Sequence, residues 1–74
     1  MNDNTQMTIE MLARHRGDEI VNPERGMSLG KIETVSVPTG HLFTEHPDGS
    51  VKGQSAANVL TLLNDEASSW ELRE

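Results

Sequence analysis

Apolar residues recur at Ala56, Val59, Leu60, Leu63, Ala67 and Trp70. Those offsets follow a period of about 3.6 residues, which places them along one stripe of a helix. Ser55 stands just before the stripe, where a hydroxyl can accept from the free amides of a first helical turn. The spacing predicts one helix from Ser55 to about Ser69. A stop at Asn64, with Asp65 opening a second short helix, is the alternative; Trp70 in phase with Leu63 and Ala67 favours continuity.

Immediately upstream, His41–His46 and Ser50–Gly53 flank Pro47-Asp48-Gly49. Proline, aspartate and glycine in that order are turn chemistry, so the two flanks read as strands of a hairpin. A hairpin that hands over to an amphipathic helix implies an α+β fold in which the helix stripe covers one sheet face. Leu60 and Leu63, midway along the stripe, are the expected centre of the core.

The remaining strand candidate is Met27–Val37, rich in β-branched residues. Its alternation is broken, because Val35 and Val37 share a face while Ile32 falls on the other. Either both faces are covered, or a bulge near Lys31–Glu33 shifts the phase. Pro38-Thr39-Gly40 closes it. Lys31–Val37, His41–His46 and Ser50–Lys52 together fit a small antiparallel meander.

The N-terminal third is less patterned. Residues 1–6 are polar and read as frayed. Thr5 or Thr8 could cap a short helix carrying Ile9, Met11, Leu12 and Ala13, with Gly17 at its end. Residues 18–26 read as a connector, with Asn22-Pro23 starting a turn and Gly26 closing it. The expected organisation is a short helix or arm with connector over 1–24, and a compact α+β domain over 25–74.

Size sharpens the functional expectation. A chain of 74 residues forms one small domain that buries only about 60% of its unfolded surface. Hydrophobic residues make up 34% of it, and the aromatics are Phe43 and Trp70 alone. Without cysteine, neither a disulfide nor a thiolate metal site can staple the fold. Self-association or a partner protein is then the expected source of further burial, with a homodimer favoured.

Twelve acids against six bases leave a net charge of −6. The bases Arg14, Arg16, Arg25, Lys31, Lys52 and Arg73 are scattered, which argues against direct nucleic-acid binding and against docking on anionic membranes. No stretch approaches the roughly 20 apolar residues of a membrane helix. The first thirty residues hold no signal-like apolar run. A cytoplasmic protein is expected.

Chemical constellations are weak. His41 and His46 lie five apart in one expected strand and point to opposite faces, so with His15 they make no chelating set. Ser50 and Ser55 lack an oriented base. Gly49–Ser55 resembles a phosphate loop only loosely, being one residue short with Gln54 where lysine is needed. Gly26–Ile32 has the lysine but puts Ile32 in the magnesium-binding position. No catalytic residue, cofactor or metal is expected.

By elimination, the expected function is an acidic protein-binding module: a regulator, inhibitor or accessory factor that occupies a partner's surface. The candidate contact surfaces are the open edge of the small sheet, with its unpaired backbone groups, and the helix flank of Leu62, beside the main stripe, Glu66 and Trp70. One rival is an antitoxin-like or nucleic-acid-mimicking regulator using Asp65, Glu66, Glu71 and Glu74 against a basic protein. The other is a small enzyme or ligand carrier, which would need a buried pocket.

Overall fold

A short helix begins where Thr8 can cap it. In the computed structural model, which describes residues 6–74, α1 spans Ile9–Leu12 and the Thr8 hydroxyl accepts from the Met11 amide at 3.3 Å. Thr5, the other expected cap, lies outside the described residues. A 3-10 turn, Ala13–His15, follows, and Gly17 takes φ +92° to reverse the chain.

The first half of the segment expected to be a connector is instead a strand, while the turn from Pro23 to Gly26 is as expected. β1 spans Glu19–Asn22 and carries three buried residues in succession, Ile20, Val21 and Asn22. Four residues are too few for a period to show in the sequence, and the charged Asp18-Glu19 ahead of them suggests exposure. Its identity depends on the strands at either side. Ile20 faces Gly30 on one neighbour and Leu72 on the other. The expected boundary between residues 24 and 25 falls in the tight turn after β1, where the Arg25 amide donates to the Asn22 backbone and side-chain oxygens.

β2 spans Met27–Ser36, β3 His41–Glu45 and β4 Val51–Ser55. The broken alternation of β2 has the expected cause: register with β3 slips between Ile32 and Thr34, so Glu33 is the extra residue of a bulge. A second slip, opposite Ile20 and Val21, places Leu29 outside the β1–β2 pairing. Between the two, Gly30 adopts φ +99°, and a Cβ there would lie 2.7 Å from the Glu45 carbonyl oxygen. Only glycine fits that approach without movement.

α2 spans Ala56–Asn64, and the Ser55 hydroxyl accepts from the Asn58 amide as expected of its cap. The helix then stops well short of Ser69. Asp65 has extended backbone, its carboxylate accepts from the Ala67 amide at 3.0 Å, and the Ser68 hydroxyl donates back to the carbonyls of Leu62 and Asp65. These side chains offer the backbone local partners that compete with helical ones. The phase of Trp70 with the stripe is therefore coincidental. The released chain forms β5, Glu71–Arg73, which pairs antiparallel with β1.

Among the described residues, the strands form one antiparallel sheet in the order β4-β3-β2-β1-β5. α2 carries the chain from the β4 edge to the β5 edge. Helices and sheet share a core of Leu12, Ile20, Ile32, Leu42, Ala56 and Val59. Leu60 and Leu63, the expected centre, are only half-buried and pack around it. Ala56 and Val59 are the buried residues of α2, and the longer leucines pack around them. Asn64 ties the N-terminal segment to the helix end: its side chain accepts from the Met7 amide at 2.7 Å and donates to the Met7 carbonyl at 3.0 Å.

Candidate protein interface

The core lies against one sheet face, and register assigns the residues of the other. Residues directly opposite one another share a face. Arg73, Glu19, Lys31, Glu45 and Val51 therefore form one row across all strands of the sheet. Its charges alternate in sign until they reach Val51, which is 52% exposed. Opposite charges on neighbouring strands favour the pairing. The Ser28 hydroxyl donates to the Glu19 carboxylate at 2.6 Å and accepts from the Gly30 amide at 3.0 Å, fixing this row to the β2 bulge. Glu19, Gly30, Lys31, Glu45, His46 and Pro47 line a hollow of about 350 Å³.

A second row runs through Thr34, Phe43 and Gly53. The Phe43 ring lies over the glycine, with its Cε1 3.0 Å from where a Cβ would stand. This glycine is in mid-strand on the outermost β4, where nothing in its own turn chemistry calls for it. The Phe43 ring takes the space that a side chain at this position would need.

The phase of the β3–β4 ladder follows from the bonds at its two ends. The His46 amide donates to the Ser50 carbonyl at 2.8 Å, and the Ala56 amide donates to the Gly40 carbonyl at 2.9 Å. Alternation between them directs Ser50, Lys52, Gln54 and Ala56 towards β3. Val51, Gly53 and Ser55 therefore turn their backbone groups outward from the sheet edge. Ser55, as the helix cap, directs its carbonyl into the first turn of α2 and keeps its amide outward.

The hairpin leading into this edge is held by Asp48. Its carboxylate accepts from the Ser50 amide at 2.9 Å and from the Ser50 hydroxyl at 2.7 Å. The backbone bond, then the hydroxyl bond, hold the Asp48 carboxyl below its ordinary value, with smaller help from His46 and Lys52.

The residues singled out by sequence fall in different settings. Leu62 is half-buried on α2, and its carbonyl takes part in the helix stop. Glu66 is exposed in the turn after the helix. Trp70 is half-buried and packs against the core. His15 donates from Nδ1 to the Asp18 carboxylate at 2.9 Å, far from the β3 histidine in sequence. Among the described residues, no group of three His, Cys, Asp or Glu side chains is placed to hold a metal ion. Both glycine-bearing stretches that resemble phosphate loops are strand: Gly26–Ile32 runs into β2, and Gly49–Ser55 into β4. The second flank of the hairpin and an open sheet edge were expected, but which residues of β4 face outward was not legible, because Val51-Lys52-Gly53-Gln54-Ser55 has almost no apolar character. The legible signal of β4 was the Pro47-Asp48-Gly49 turn that makes it the second flank of a hairpin.

Among the described residues, no helix is long and apolar enough to cross a membrane. Comparison of the chain with known protein families, with curated proteins and with solved structures returned no match.

Proposed function

We propose that this protein is a non-catalytic binding module of the cytosol, a regulator, inhibitor or accessory factor that acts by occupying another polypeptide through its β4 edge and the adjoining open sheet face. The observation that carries this reading is the edge itself. Val51, Gly53 and Ser55 direct backbone groups outward, and Val51 and Phe43 supply apolar surface beside them. An edge of this kind accepts an extended strand through main-chain bonds, while the neighbouring side chains supply selectivity.

The opposite edge is a poorer candidate. β5 has three residues, of which Glu71 and Arg73 are charged and exposed, and short charged strands discourage pairing. The carboxylates of the open face alternate with Lys31 and Arg73, which supports a cross-strand structural role for them over imitation of a phosphate backbone. The helix flank with Leu62, Glu66 and Trp70 remains the comparison surface.

A photo-crosslinking residue placed singly at Val51 or at Glu66 tests the reading in cells. The expected result is a discrete polypeptide adduct from position 51 and none from position 66. Adducts from 66 alone would move the interface to the end of α2. Absence of adducts from both would overturn the proposal.

A further inference from the structure

Resting on the reading of β4 as an interface, we infer that its occupant is a second copy of this chain, paired antiparallel about a two-fold axis through Gly53. Antiparallel pairing requires outward-facing residues to meet outward-facing residues. That puts the axis on a residue, and three such centres keep three or more residues of β4 paired. A centre at Lys52 sets lysine directly opposite lysine, which is unfavourable. A centre at Gln54 sets Lys52 opposite Ala56, where the strand has already become helix, and leaves Val51 without an opposite residue.

The centre at Gly53 has neither defect. Val51 faces Ser55 of the second copy, Lys52 faces Gln54, and glycine faces glycine. The Gly53 amides donate to one another's carbonyls, and the Ser55 amides donate to the Val51 carbonyls of the second copy. No two like charges meet at any position, although each copy carries a net charge of −6. The pairing also uses the bare glycine. Two side-chain-free residues side by side leave a floor between the Phe43 rings, each of which already leans over its own Gly53. The product is one continuous sheet, with the helices of both copies on one face.

A five-residue edge with two aromatic rings is a small interface, below the size of permanent dimers. Association is therefore concentration-dependent over an accessible range, and it strengthens with ionic strength as the net repulsion is screened.

Sedimentation equilibrium and amide exchange between about 10 µM and about 1 mM test this directly. The Gly53 and Ser55 amides should exchange more slowly as concentration rises. Gln54→Glu should tighten the dimer about fivefold by facing Lys52 of the second copy, and Gln54→Lys should loosen it about as much. Lys52→Glu combined with Gln54→Lys should restore the tighter association. Gln54 donates to the Thr44 hydroxyl at 3.3 Å, so Gln54→Ala, which removes that bond without adding charge, is the reference for both charged variants. A monomer throughout that range, or Gln54→Glu and Gln54→Lys shifting association in the same direction, would overturn self-pairing. Should the variants fail to fold, the exchange of the unmodified protein decides alone. A monomer that still gives adducts from Val51 to another polypeptide keeps the binding-module reading and sinks this one. A dimer whose adducts at Val51 are only to itself does the reverse for any wider partner.

Discussion

At the scale of single residues, backbone geometry and one carboxylate make the sharpest statements. Gly30 combines φ +99° with a carbonyl 2.7 Å from where a Cβ would stand. A side chain there is strained by about 1–3 kcal/mol from the dihedral alone, and the clash with Glu45 adds to that. Gly30→Ala should thus lower the urea midpoint markedly. Gly26→Asn, at φ +65° in open space, should barely change it, because asparagine enters that region readily. Equal effects would refute the steric account. Asp48 sets a pH dependence with a defined sign. Its folded value lies below the ordinary 3.8, so the stability it contributes is complete above that value and is lost as pH falls through the folded one. Amide exchange in the 46–50 turn should accelerate across that acidic window, and Asp48→Asn should flatten the response.

At the scale of elements, the helix start and the bulge in β2 were readable, because each rests on neighbours in sequence. Ser55 precedes an apolar period, and the phase break at Ile32 is local. The helix end and β1 were not. Asp65, Ser68 and Ser69 can continue a helix or stop it, and the choice fell to the pairing available to Glu71–Arg73 across the sheet. β1 offers two apolar residues, too few for a pattern, yet Ile20 is fully buried between two strands. Ile20→Ala should cost about 2–5 kcal/mol, against less for the half-buried Leu60→Ala. Denaturant melts of the two variants give the comparison. A larger loss for Leu60 would restore the stripe to the centre of the core.

At the scale of the molecule, the chain closes its sheet with its own last strand. β5 covers the outer edge of β1, and Leu72 packs beside Ile20 over the core. Removing residues 71–74 should expose that edge and part of the core, lowering the melting temperature and promoting association through β1. Light scattering against temperature reads both effects, and an unchanged melt would mean that β5 is dispensable. β4, at the other side, has no such cover among the described residues. The two edges thus differ in kind: one is the short, charged β5, and the other carries the proposed interface.

The α+β class, the hairpin around Asp48, the cap at Ser55 and the interrupted phase of β2 were determined by sequence alone. Each is set by hydrogen bonds and side-chain periods acting over a few residues. Which apolar residues form the core, where α2 ends, and that residues 19–22 and 71–73 are strands were decided by tertiary structure, since a short strand has no partner for its backbone until distant segments arrive. The candidate interface belongs to the same category. Its residues are polar or small, and only their place on an outer strand, with the ladder phase turning Val51, Gly53 and Ser55 outward, gives them a surface to offer.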